Sequence, residues 1–199
     1  MTNVITAKIV YADCDNRIWR EIQISENSFL CQLGYTVLAT FDTMAYHMFS
    51  IKHGKTTYDL PDEDTEIEPD KCLFCVKLSE LNLKVGDKLE MVYDFGCEQV
   101  FDIEITDISP MSKGGGRAYP KVIAGAGLGI IDDMSADELL DVIRDIDKNG
   151  NSLFYYEGKR PEISWDYKKY DIEIDNALLK GEIEQIAEGY SAFEEYLDL

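Results

Sequence analysis

Apolar and polar residues alternate along the first part of the chain and then change to a helical spacing. The stretches "VITAKIVYA" and "RIWREIQI", joined by "DCDN", alternate as strands with one buried face do. In "SENSFLCQLGYTVLATF" the apolar residues recur every three or four positions, which predicts a helix with Asn27 or Ser28 capping its first turn. "YHMFSIKH" returns to a strand pattern, and "GKTTYDLPDEDTEIEPD" is expected to be a loop. The order strand, strand, helix, strand predicts a grasp-like start.

The second part of the chain adds a hairpin and two helical regions. "KLEMVYDF" and "QVFDIEITDI" are predicted strands, and "GCE" between them is a plausible hairpin turn. Ser135 and Glu138 form a capping box at the start of "SADELLDVIRDID", whose apolar residues fall on one helix face. A further helical region is expected from about Asp171 to the end of the chain. Together these elements predict an α+β fold, in which the grasp-like start is followed by an antiparallel hairpin and packed helices.

The charge of the chain restricts its partners. The formal net charge is −20, from 39 acidic and 19 basic residues. Such a surface repels nucleic acid and anionic membranes and favours a basic protein as partner. We find neither a bilayer-spanning apolar stretch nor a signal peptide, and the odd number of five cysteines fits reduced thiols. We therefore expect a cytoplasmic protein that does not bind nucleic acid or membranes directly.

A partial calcium-binding motif lies at the end of the predicted second helix. Asp145, Asp147, Asn149 and Gly150 occupy positions one, three, five and six of an EF-hand loop. Position twelve, where a bidentate glutamate closes such a loop, holds Tyr156. An alternative explanation is that the helix ends here, because an Asn–Gly pair supplies left-handed residues that terminate helices. We therefore expect no metal, and keep Asp145, Asp147 and Asn149 as calcium candidates on the partial match alone.

Other short motifs indicate no cofactor. "CLFC" has the spacing of a zinc ligand pair, but no second pair accompanies it. "AGAGLG" lacks the spacing and the lysine of phosphate-binding loops, so a conformationally demanding loop is the better account. The two histidines, His47 and His53, do not lie in the context of a nucleophile elbow. Carboxylate pairs such as Asp132–Asp133 leave a two-carboxylate hydrolase or a metal nuclease open.

A series of ordered landmarks resembles the plasmid pRiA4b ORF-3-like family. The landmarks are "IWR" at residues 18–20, a His-x-Phe strand with His47 and Phe49, then "LKVGDKLEMVYDFG", and finally "YPKVIAGAGLGIIDD". The likeness covers roughly residues 4–180. It implies one α+β domain over residues 1–180, and we expect residues 181–199, which hold six acids and no Lys or Arg, to form an acidic C-terminal helical extension.

The chain departs from this family at several polar positions. Where the family usually has an aspartate, an aromatic residue and a histidine after Tyr-Asp-Phe-Gly, this chain has Cys97, Gln99 and Phe101. Ala45 replaces the usual histidine two places before His47, and "MSADE" replaces a Gly-Gly after the acidic pair. If those residues served an activity in the family, the departures imply that this member has lost or altered it.

These observations favour an uncharacterised, non-enzymatic protein-interaction module associated with mobile elements. Its acidic surface or its acidic C-terminal helix would engage the partner. One alternative is an acidic inhibitor that mimics DNA. Another is a metal-dependent hydrolase that uses His47, Asp94, Asp132 and Asp133, all at landmark positions of the resemblance. For the hydrolase, these four side chains must converge within reach of one ion.

Overall fold

A seven-stranded antiparallel sheet forms the framework of the protein, with strand order β4-β3-β5-β6-β1-β2-β7. The computed structural model describes residues 2–12, 14, 16–63, 67–112, 114–150 and 165–197. The strands are β1 (Asn3–Tyr11), β2 (Trp19–Ser25), β3 (Phe49–His53), β4 (Thr56–Tyr58), β5 (Lys88–Tyr93), β6 (Gln99–Pro110) and β7 (Lys121–Ala126). The α-helices are α1 (Leu30–Thr40), α2 (Ala136–Asn149) and α3 (Ile172–Tyr190). The predicted α+β class and the grasp-like order of the first elements are confirmed.

The two predicted strand pairs form as expected, and four further pairings complete the sheet. β1 pairs with β2, and β5 pairs with β6, both antiparallel. The long strand β6 also pairs with β1 and thereby joins the two hairpins. The prediction missed β4, which lies in the acidic stretch assigned to a loop and pairs with β3. At three residues, β4 is too short for an alternating pattern to stand out.

Helix α1 is the central helix, and its predicted start needs a correction. Neither Asn27 nor Ser28 caps it, because Phe29 occupies the N-cap position. The side chain of Gln32 accepts the Phe29 N–H at 2.9 Å. The N–H of Leu30 donates to the carbonyl of Val76, and that of Cys31 to the carbonyl of Leu73. Backbone distant in sequence thus satisfies donors that a local cap would otherwise satisfy.

The segment between α1 and β3 stays outside the sheet. The sequence predicted a strand from residue 46, but β3 begins at Phe49. Asp42 and Ala45 have φ values of +55° and +53°, in the left-handed region that breaks regular structure. His47 lies two residues before β3, at the end of the sheet where the candidate site forms.

Helix α3 covers α1 and the edge of the sheet. The ring of Tyr190, near the end of α3, stacks on Tyr35 of α1 at 5.4 Å and meets Phe49 of β3 edge-on at 5.3 Å. Asn176 bonds both the N–H and the carbonyl of Val122 in β7, each at 2.9 Å. The boundary drawn from the sequence between residues 180 and 181 lies inside this helix. Within the part of the chain that the structure describes, no helix combines the length and apolar character needed to span a membrane.

A buried arginine joins the sheet to the glycine-rich stretch before α2. The guanidinium of Arg20 donates to the carbonyls of Trp19, Thr40, Ala126 and Leu128 at 2.8–3.0 Å. A Cβ atom on Gly125 would lie 3.0 Å from the Arg20 side chain, so a larger residue there would crowd it. The glycines of "AGAGLG" are therefore explained by close packing.

Candidate metal centre

Three chain segments meet at the end of the sheet where strand β3 begins and its neighbour β5 ends. Phe49 of β3 is paired with Tyr93 of β5, so His47, just before β3, lies close to Asp94, just after β5. The loop between β7 and α2 is tied to the end of α1 by the N–H of Ile130, which donates to the Phe41 carbonyl at 2.9 Å. That loop carries the acidic pair of residues 132–133.

His47, Asp94 and Asp133 converge at this end of the sheet. The Nε2 atom of His47 lies 2.8 Å from Asp133 Oδ1 and 3.5 Å from Asp94 Oδ2. All three potential ligand atoms lie within 4.8 Å of one another, and among the described residues no other group of His, Cys, Asp and Glu does so. Ligands bound about 2.0–2.2 Å from one ion lie roughly 3–3.5 Å apart. The two distances from His47 Nε2 lie close to this range, and the three atoms are near enough to one another to be candidate ligands of one divalent cation.

A tight turn holds the carboxylate of Asp94 through one of its two oxygens, and the other oxygen has no hydrogen-bond partner among the described residues. Asp94 has a φ of +55°, and its Oδ1 accepts the N–H groups of Gly96 at 3.1 Å and Cys97 at 3.4 Å. The residue is only 6% exposed, yet its Oδ2 has no hydrogen-bond partner among the described residues. A buried carboxylate oxygen without a partner is unfavourable. Its direction toward His47 and Asp133 indicates a position for a cation.

Asp132, the fourth sequence candidate, does not join the cluster, so three of the four side chains converge as the hydrolase requires and one does not. Its Oδ2 accepts the Met44 N–H at 2.8 Å, and its Oδ1 accepts the Tyr93 hydroxyl at 2.7 Å. Burial first, and then the hydrogen bond and charge of Asp132, raise the pKa of Tyr93, so the phenol remains a donor. Asp132 therefore connects β5 to the segment before β3 and positions the other three residues.

Two tyrosines that the sequence did not identify as site residues also contact the cluster. The hydroxyl of Tyr46 donates to Asp133 Oδ2, and that of Tyr190 donates to the backbone carbonyl of His47. Tyr190 lies 143 positions from His47 in the sequence, so no local signal predicts this contact. The result is a histidine whose ring and backbone are both held in place.

The structure shows the contacts of the three residues at which the chain departs from the family pattern after Tyr-Asp-Phe-Gly. Burial first, and then the neighbouring Asp94, raise the pKa of the Cys97 thiol beside the cluster. The side chain of Gln99 is buried and donates to the Met134 carbonyl at 2.7 Å, which fixes the residue after Asp133. Phe101 lies in the core, 4.9 Å from the ring of Phe41.

The calcium candidates lie on α2 and are already engaged there. Asp147 pairs with Arg17 and with Lys168, and it also accepts the Tyr167 hydroxyl. Asn149 donates to Asp145 across one helical turn. Helix α2 continues to Asn149 and ends at Gly150, whose φ is +82°, so of the predicted Asn–Gly pair only the glycine is left-handed. The later positions of the predicted loop, 151–156, lie outside the described residues.

Comparisons with known proteins identify a family and a fold. A family model described as "Plasmid pRiA4b ORF-3-like protein" matches residues 3–174. The crystal structure of a protein of unknown function from Methanosarcina mazei Go1 superposes with a TM-score of 0.70 at 18% sequence identity, over 88% of this chain and 97% of that chain. No curated protein matches the sequence. At this level of identity, the structural likeness establishes the fold alone.

Proposed function

The chain belongs to the plasmid pRiA4b ORF-3-like family, and from the geometry of its site we propose that it is a metal-dependent hydrolase. His47, Asp94 and Asp133 would be the protein ligands of one divalent cation. The Oδ2 of the buried Asp94, which has no hydrogen-bond partner among the described residues and lies 3.5 Å from His47 Nε2, is the observation that carries the proposal. From the net charge, the first expectation was a non-enzymatic module. The net charge does not explain why His47, Asp94 and Asp133 lie so close together.

The ligand set suits hydrolytic chemistry. A catalytic zinc ion usually has three protein ligands and a bound water whose pKa falls to about 7. One imidazole and two carboxylates also suit other divalent transition metals. The side chains of His47 and Asp133 are 28% and 37% exposed, which leaves one side of the cluster open to water and substrate. Because the net charge of −20 repels polyanions, a neutral or cationic substrate is favoured.

Metal binding by the native protein tests this proposal. Metal-free protein should bind one equivalent of Zn²⁺ or Mn²⁺, since the three ligands are already held close together. At a metal concentration about 100 times Kd, the stabilisation is about 2.7 kcal/mol, or roughly 5–10 °C in the unfolding midpoint. Calorimetric titration and thermal unfolding provide the measurements. An unchanged midpoint at millimolar metal would reject the site.

A second candidate function, recognition of a protein partner, is supported by the surface of α3. Ile174 and Leu178, one helical turn apart, are 59% and 54% exposed. Such apolar residues on an acidic helix are typical of a helix that docks against a complementary groove. We propose that a basic protein with an apolar groove would be the partner, because α3 also exposes Glu173, Glu184 and Glu188.

Exchange of the two apolar residues tests this second function. The double variant Ile174→Glu, Leu178→Glu should lose a basic partner that the native protein retains in pull-downs from host extract. The apolar contact is removed while the acidic surface is kept. A matched control is Val85→Glu, which alters an equally exposed apolar residue outside α3. Recovery of the same proteins with all three forms would exclude α3 as the docking surface.

A further inference from the structure

A cavity of about 490 Å³ lies beside the segment between α1 and β3, the segment that also carries His47. It is bordered by the end of α1, by the residues that follow α1, and by α3, and it is open to solvent. Its volume falls within the usual range for small-molecule sites. The small residues Ala39 and Gly189 keep it open, while Met44 and Ile186 give it an apolar part.

The cavity has two acidic walls. Asp42 contributes a carboxylate from the segment after α1, and Glu182 contributes one from α3. No Lys, Arg or His belongs to the described lining. The nearest cation acting on Asp42 is Arg20, whose guanidinium already donates to four backbone carbonyls. Asp175 of α3 lies 3.5 Å from Arg20, so Asp42 and Asp175 share one cation, and the charge of Asp175 also acts on Glu182.

The ionisation of these groups reflects that imbalance. Asp42 as a whole is exposed, but desolvation of its carboxyl group raises the pKa to about 6; Arg20 opposes this rise, and Asp175 and Glu182 add to it. Burial, followed by the charge of Asp175, also raises the pKa of Glu182. A cation in the cavity would reverse both effects, because it would lie beside two carboxylates that have too little positive charge around them.

The cavity and the metal cluster are built on the same backbone. Met44 lines the cavity, and its N–H holds Asp132. Gly189 also lines the cavity, and the next residue, Tyr190, donates to the His47 carbonyl. A ligand in the cavity therefore lies against the same segment and helix that position the metal-binding histidine.

We propose that this cavity binds the ammonium or guanidinium group of the substrate, with Asp42 and Glu182 as its counter-ions and Met44 and Ile186 against its methylene groups. The assignment to a substrate rests on the proposed hydrolase function, whereas cation binding itself does not. The cation could belong to a small amine or guanidine, or to a basic side chain of a peptide.

Titration with butylguanidinium, using neutral butylurea as control, tests the proposal. At about pH 8 the cation should bind and the urea should not, as followed by calorimetry or NMR shifts of α3. Glu182→Gln should weaken binding roughly tenfold, the equivalent of about 1.4 kcal/mol for one lost charge contact. Glu184→Gln, an exposed glutamate of the same helix outside the lining, should have no effect. At about pH 5 binding should weaken, because the carboxyl of Asp42 is then largely protonated.

Further measurements separate the possible outcomes. Tighter binding of acetyl-Gly-Arg-Gly-amide than of butylguanidinium would assign the cation to a peptide, and the reverse order would assign it to a small molecule. Absence of binding, or equal weakening by Glu182→Gln and Glu184→Gln, would overturn the proposal. Cation binding by a protein that binds no Zn²⁺ would keep the cavity as a cation site but remove its assignment to a substrate. Zn²⁺ binding without cation binding would leave only the hydrolase proposal.

Discussion

Replacement of Arg20 by methionine should destabilise the protein by about 3–5 kcal/mol, the usual cost of removing one partner of a buried charge pair. Arg20 is 0% exposed, and its guanidinium carries four hydrogen bonds to carbonyls. It also lies 3.7 Å from the ring of Tyr170 and 3.5 Å from Asp175. Methionine fills much of the volume, but it cannot donate to the carbonyls or compensate Asp175. Urea unfolding, followed by circular dichroism, measures the loss.

The control for this substitution is Arg144→Met on α2. Arg144 pairs with Asp141 on the surface, where its side chain is 59% exposed. Exposed pairs of this kind contribute roughly 0–1 kcal/mol. Arg20→Lys should resemble Arg20→Met, because an ammonium cannot reproduce the fork of donors that reaches four carbonyls. If Arg20→Met lowered the free energy of unfolding no more than Arg144→Met does, the hydrogen bonds of Arg20 between β2 and the glycine-rich stretch would not stabilise the fold.

Local patterns predicted most of the sheet and all three α-helices. They failed where a helix end is capped by backbone carbonyls that are distant in the sequence. The alternating residues of β1, β2, β5 and β6 are visible in the sequence because each strand has one buried face. Ser135 caps α2 with its own side chain, as the sequence predicted. The start of α1 instead meets the carbonyls of Leu73 and Val76. No spacing within the helix sequence could reveal that arrangement.

The sequence named four candidate residues for a metal site, but it did not show which of them lie close together. His47, Asp94 and Asp133 come from three separate segments, and only the pairing of β3 with β5 brings the first two together. Adjacent in sequence, Asp132 and Asp133 differ completely in role, because Asp132 is held by Met44 and Tyr93. A net charge is a sum over the chain, so it could not show that a few of the 39 acids converge.

The acidic cavity has no signature in the sequence at all. Asp42 and Glu182 are separated by 140 positions, and each is an ordinary acid within an acidic chain. Packing of α3 against α1 brings them to the same space, and this packing depends on buried aromatic contacts such as Tyr190 with Tyr35. Tertiary contacts of this kind lie beyond periodicity and motif spacing.

Replacement of Asp94 by asparagine should abolish metal binding while leaving the fold intact. An asparagine keeps the oxygen that accepts the N–H groups of Gly96 and Cys97, so the turn after β5 should survive. It loses the anionic Oδ2, which is the buried ligand atom directed toward His47 and Asp133. Affinity for Zn²⁺ should fall by more than the roughly 10–100-fold that loss of an outer-shell partner costs. Calorimetric titration at about pH 8 measures this change.

The stability of the metal-free variant distinguishes a functional site from a structural one. If the Oδ2 of Asp94, which has no hydrogen-bond partner among the described residues, is retained for metal binding, Asp94→Asn should leave the metal-free protein equally stable or stabilise it by up to about 1 kcal/mol, as expected where function opposes stability. Asp107→Asn, which removes the same charge from an exposed position on β6, should change neither property. A variant that unfolds without metal would instead show that Asp94 serves the turn after β5. The cluster would then be a structural ion pair, with His47 as the partner of Asp133.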